Sequence, residues 1–313
     1  MVGNIIGKAI TYPFKKPQLL LLGFLAEFGT IAFNTINPSL GLTPDSIASG
    51  NQALPDISNL SPFIAILGLC CVLIFFIVVF VFLSTISSTA MISIVQQSEA
   101  NRTPSLSLAF SVGSNRFLRV FFMRLLLSIP AIIIGGILFL LFGGAFIQAL
   151  NAQNTPGGST NQMDVFSLLC AACGSICFLG SYGIIAQIIR VLGEPAIVIE
   201  NRDIFSSMSR AWKLFTGAIG SYIAVFLAIF IIGGIINFIS SLSSQLLAGA
   251  HIAKLIESGE GISVFIGIAS SGLAFIINSV AFSYLSGMTT SAWSLFFIEN
   301  AAREDQSSQL QAT

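Results

Sequence analysis

RVLGEPAIVIENRDIFSSMSRAWKLFTG, residues 190–217, is the stretch that decides how this chain is read. It is the most charge-rich break in an otherwise largely apolar sequence. Its second half reads as a helix lying flat on a membrane. Ile204, Phe205, Met208, Trp212 and Phe215 recur with a 3.6-residue period. Ser206, Ser207, Ser209, Arg210 and Lys213 fill the opposite face, and Asp203 stands where an N-cap belongs. Such a helix buries its apolar side at the headgroup boundary and turns its cations to lipid phosphates. The long hydrophobic runs on either side supply the membrane.

Composition agrees with that reading. Of 313 residues, 55% are hydrophobic and 8% charged, against about 25% charged in an ordinary soluble domain. Mean hydropathy is +0.92. The expected fold class is all-α, a polytopic membrane protein of about six transmembrane helices with two or three amphipathic helices on the cytoplasmic side. Lys and Arg together number 13, as do Asp and Glu. No basic excess points to nucleic acid.

Spans are expected over residues 18–36, 63–95, 120–150, 166–191, 218–247 and 262–298. The last contains Ser270-Ser271-Gly272, Asn278 and Ser286-Gly287, and reads as one long bent span; two spans would move the C-terminus across the membrane. Residues 3–14 and 106–117 read as further interfacial helices. In the second of these, Leu106, Ala109, Phe110, Gly113 and Phe117 form the stripe beside Arg116 and Arg119, and Thr103-Pro104 offers an N-cap and first turn. Residues 1–300 are expected to form a single membrane domain, and 301–313 a polar tail, disordered beyond Asp305. Residues 63–150 and 166–248 echo each other loosely. Their anchor is Ile134-Gly135-Gly136-Ile137 against Ile232-Gly233-Gly234-Ile235.

With six spans, Lys8, Lys15, Lys16, Arg102, Arg116, Arg119, Arg190, Arg202, Arg210, Lys213 and Arg303 fall on one side. Asp45, Asp56, Asp164, Glu257 and Glu260 fall on the other, with Lys254. The positive-inside rule then places both termini in the cytoplasm of a cell with this protein in its inner (plasma) membrane. No signal peptide is read at the N-terminus, because Glu27 interrupts the first apolar run and no cleavage site follows. Cys70, Cys71, Cys170, Cys173 and Cys177 all lie in apolar runs, where thiols serve as small packing residues rather than as a redox or metal motif.

GEPAIVIENRDIFSSMSRAWKLFTG resembles a segment of the membrane domain attached to some bacterial glycerophosphoryl diester phosphodiesterases, and of related stand-alone multi-span proteins. The residues that carry the likeness are Pro195, Ala196, Val198, Glu200, Ser209, Trp212, Leu214 and Gly217, with Ala211 where the family has Ser. SLSLAFSVGSNRFLRVF resembles the family's first interfacial helix, and KAITYPFKKPQLLLL its "x-F-x-x-x-P" start. The resemblance implies a six-helix membrane unit. It does not imply phosphodiesterase activity, which belongs to a separate soluble barrel.

Catalytic constellations are not legible. His251 is the lone histidine, and neither a Walker A sequence nor H-E-x-x-H occurs. We therefore expect no enzyme, cofactor or metal. Glu27 is the most unusual residue, since an ionisable group in mid-span is costly and is usually paired or functional. One reading pairs it with Arg124 or Arg190. The other makes it a proton or cation site shared with Asn34, Gln187 or Asn278. Glu194, Glu200, Arg202, Asp203, Arg210 and Lys213 read as a solvated or headgroup-facing surface, and Trp212 and Trp293 as interfacial anchors. Arg116, Arg119, Arg210, Trp212 and Lys213 are the expected contacts to lipid headgroups or a partner. The first expectation for function is a non-enzymatic membrane scaffold or accessory subunit. Its partners are then lipids and other membrane subunits or further copies of itself. The alternative is a transporter or lipid-handling protein built on Glu27.

Overall fold

The computed structural model describes residues 1–39, 62–153, 162–257 and 260–312, and all the regular structure in them is helical. Eight helices follow in order: α1 (Val2–Lys15), α2 (Pro17–Ser39), α3 (Pro62–Glu99), α4 (Leu106–Gln153), α5 (Gln162–Glu200), α6 (Ile204–Gly217), α7 (Ile219–Glu257) and α8 (Glu260–Ala312). Among the described residues, α3, α4, α5, α7 and α8 are long and apolar enough to cross a bilayer, and α2 has a shorter apolar stretch, Pro17–Ile31. The chain is a helical membrane protein.

Several expected boundaries move. The interfacial segment 106–117 and the third span are one continuous helix, α4, because no residue between them breaks the hydrogen-bond ladder. Ser105, not Thr103, stands before that helix and accepts the Leu108 N–H on its hydroxyl at 3.5 Å. Residues 262–298 lie inside one unbroken helix, and that helix continues to Ala312 rather than dissolving after Asp305. The tail's glutamines and alanine are good helix formers, which lets it propagate once nucleated. α1 and α2 are separated at Lys16, where Pro17 starts the new helix as prolines do at a first turn.

Two compact units emerge, Met1–Phe117 with Ala218–Thr313, and Leu118–Gly217. In the first, glycines let helices touch. A Cβ on Gly23 of α2 would lie 3.0 Å from the Ser283 carbonyl carbon of α8, and one on Gly29 would lie 3.2 Å from the Phe80 ring of α3. Thr85 and Thr89 are buried in α3, and each returns its hydroxyl to a carbonyl one turn back, at 2.7 Å. Residues 291–297 of α8 are all buried. Trp293 is 6% exposed there, with the Tyr222 ring of α7 tilted against it at a ring separation of 4.7 Å. It is a core residue, not the interfacial anchor its sequence position implied.

The second unit is smaller. Val120, Met123 and Leu127 of α4 meet Ile197 of α5, with Ile204 and Met208 of α6 packed against them. Gly193 admits the Met123 sulfur, which would stand 3.0 Å from an added Cβ. The side chains of Cys170 and Cys173 lie outside the described residues, as does the region around Asp45 and Asp56. Cys71 and Cys177 are free and exposed.

Candidate functional site

The densest charge cluster sits in the second unit. Glu194 of α5 is 7% exposed. Arg124 of α4 grips it bidentately, Nε to Oε1 at 2.6 Å and Nη2 to Oε2 at 2.8 Å. Arg190, one turn earlier on α5, donates its Nε to the same Oε1 at 3.1 Å. Two cations share this one carboxylate. The sequence had assigned Glu194 to a solvated surface and Arg124 or Arg190 to Glu27. Residues 192–198 of α5 are all buried, so Glu194 lies among apolar neighbours, and the two arginines meet it there. A run of apolar neighbours was the available signal: a carboxylate inside VLGEPAIVI must be paired to be tolerated.

A second cluster closes the turn after α5. Glu200 accepts from Arg202 and, at 3.4 Å, from the Nε of Arg210 on α6. The Arg210 side chain is 10% exposed, so it lies against the protein instead of pointing freely at phosphates. Arg119 donates to the Asn201 side-chain oxygen at 3.0 Å. α6 buries Ser207, Ala211 and Leu214 against its unit. The expected apolar stripe is therefore split. Ile204 and Met208 turn inward, while Phe205 stays 75% exposed and Trp212 46%. Small Ser and Ala on the contact face let the helix approach closely, which a count of apolar residues could not reveal. Lys213 and Arg116 each have a partner of their own.

The first unit holds the counterpart. Lys8 of α1 pairs with Glu99 at the end of α3, at 2.9 Å, and the Tyr12 hydroxyl donates to the same carboxylate. Burial, that hydrogen bond and the neighbouring negative charge together push the Tyr12 phenol above its ordinary value of 10.0.

Glu27 and Asn278 are not brought together by any contact among the described residues. Glu27 is half-buried in mid-α2 and has no ion-pair or hydrogen-bond partner among them. Asn278 of α8 is buried and accepts from the Ser240 hydroxyl of α7. Gln187 is exposed on α5, and the Asn34 side chain lies outside the described residues. Among the described residues no three His, Cys, Asp or Glu side chains are grouped as metal ligands.

Residues 8–298 match the family of unknown function (DUF7544), which shows that the chain belongs to it. No curated protein and no solved structure matches the chain.

Proposed function

We propose that this member of a family of unknown function is a non-catalytic membrane protein that holds other membrane subunits, as a scaffold or accessory chain. One observation carries the reading: the spans present far more apolar surface than they bury. In the apolar windows of α4 and α7, 11% and 17% of residues are buried. Phe226, Phe230, Ile231 and Phe238 of α7 are all outward and about half or more exposed. Contiguous aromatic and aliphatic surface of this extent suits helix-to-helix association as well as lipid. The pairs Lys8–Glu99, Arg124–Glu194 and Arg210–Glu200, meanwhile, join one helix of the chain to another. The expected setting is a plasma membrane with both termini cytoplasmic.

Photo-crosslinking in intact cells tests this. A photoreactive residue at Phe230 or Ile132 should yield discrete protein adducts of defined mass. Adducts to lipid alone at both positions would remove the scaffold reading.

Glu27, which has no ion-pair or hydrogen-bond partner among the described residues, favours a second reading, a transport or lipid-handling role in which its carboxyl takes up a proton or cation at membrane depth. Glu27→Gln separates the two. Unchanged growth and flux with reduced stability in detergent would leave Glu27 a structural role only.

A further inference from the structure

We infer that the chain is one unit repeated three times, and that the copies clasp one another in a cycle. Each copy is an amphipathic helix, an outgoing span and a returning span that carries a Glu closely followed by Asn. The first is α1, α2 and α3. The second is α4 and α5, with the amphipathic segment fused to its span. The third is α6, α7 and α8.

The junctions carry the repeat most clearly. α3 ends on Glu99, and Asn101 follows at φ 54°; α5 ends on Glu200, and Asn201 follows at φ 55°. These two are the non-glycine residues with positive φ among those described, 100 positions apart. Asparagine tolerates this left-handed turn better than most residues and so ends helices there. In both, the next arginine reaches back. The Arg102 N–H donates to Gln97 O at 2.9 Å and the Arg202 N–H to Ala196 O at 3.5 Å. Glu299-Asn300 stands at the corresponding place in α8, where the helix runs on. The Gly135-Gly136 and Gly233-Gly234 pairs fall at matching points of the second and third copies.

Contacts repeat as well. Ala9, Ala109 and Ala211 are 2%, 0% and 0% exposed, each a small buried residue of its amphipathic helix. α1 rests on α8: a Cβ on Gly287 would lie 3.6 Å from Pro13, and the Phe14 and Tyr284 rings are 5.0 Å apart. The start of α4 rests on α3: a Cβ on Gly113 would lie 2.9 Å from Ile86 O, and the Phe82 and Phe117 rings are 4.6 Å apart. α6 rests on α5: a Cβ on Gly193 would lie 3.8 Å from Ser207 O, and Arg210 reaches Glu200. Every amphipathic helix thus lies on the returning span of the copy before it, and the first lies on that of the last. Each of these contacts falls inside one compact unit. α1 is therefore an integral part of the helix set, the equivalent of α6, and not an N-terminal appendage.

Cysteine pairs in the full-length chain, stripped of its five native cysteines, test the cycle with a short bismaleimide. Phe14 with Tyr284, Phe82 with Phe117, and Arg210 with Glu200 should crosslink in native membranes to comparable yield. Crosslinking of the last two pairs without the first would reduce the pattern to neighbours in sequence and overturn the cycle. A circular permutant joined through a flexible linker and opened between Arg102 and Thr103 keeps every copy whole. It should melt within a few degrees of the parent and well above one opened between Lys16 and Pro17. Equal loss in both permutants would also overturn it.

A different observation, the half-exposed guanidinium of Arg190, carries a second inference independently. We propose that Arg190 holds the phosphate of an anionic phospholipid. Its side chain is 46% exposed, against 15% for Arg124 and 10% for Glu194, and its Nε alone is engaged among the described residues. It continues the outward stripe of Ile184 and Gln187 on a membrane-spanning helix. A guanidinium on a lipid-facing stripe needs an anion, and its planar fork matches a phosphate. Native mass spectrometry from nanodiscs of mixed phosphatidylglycerol and phosphatidylcholine should show phosphatidylglycerol retained by the parent. Retention should survive in Arg190→Lys and fall several-fold in Arg190→Gln. Equal retention in all three would overturn the proposal. So would displacement of the lipid by inorganic phosphate, which would mark a site for the free ion.

Discussion

Glu194 is the residue whose loss should be felt most. Glu194→Ala leaves Arg124 buried without its anion, and breaking a buried pair in this way costs about 3–5 kcal/mol. The paired change Arg124→Met with Glu194→Leu removes both charges and should cost markedly less; thermal unfolding in one detergent ranks the two. Tyr12 sets a pH dependence. Its folded pKa lies above the unfolded one, so its contribution is complete below about pH 10 and is lost as pH rises past that value. Alkaline titration of tyrosinate absorbance should lose a late-ionising component in Tyr12→Phe, and α1 should become protease-sensitive as Tyr12 ionises.

At the scale of elements, close approach decides the outcome. Gly23→Ala drives a methyl into the Ser283 backbone of α8, which cannot move aside as a flexible side chain would. It should lower the melting temperature and yield of folded protein sharply. Gly180→Ala and Gly220→Ala, with nothing within 4 Å of the added carbon, should be close to silent. The sequence announced the helices well, because a bilayer-length apolar run has few other fates. It announced their faces poorly. On α6 the period-3.6 stripe was present, yet contact went to Ser207, Ala211 and Leu214, since small side chains gain more from backbone proximity than large ones lose by facing lipid. Glu194 was misplaced for a related reason: polarity alone says that a group needs a partner, not whether water or an arginine supplies it. Trp293 shows the converse, an aromatic recruited to the core because Tyr222 offers it a ring.

For the molecule as a whole, the testable statement is topology. An impermeant thiol reagent added to intact cells should label a cysteine placed at Gly158 and spare one at Arg202; the reverse pattern would invert the orientation read from the basic residues. α8 adds a mechanical consequence. Its 53 unbroken residues amount to about 80 Å of rod at 1.5 Å per residue, against a hydrocarbon layer of about 30 Å. Such a shaft must stand well clear of the bilayer. Whatever grips the protruding stub can tilt or twist the buried portion without any hinge to absorb the motion, so load applied outside the lipid is delivered to residues 291–297 at its buried grip.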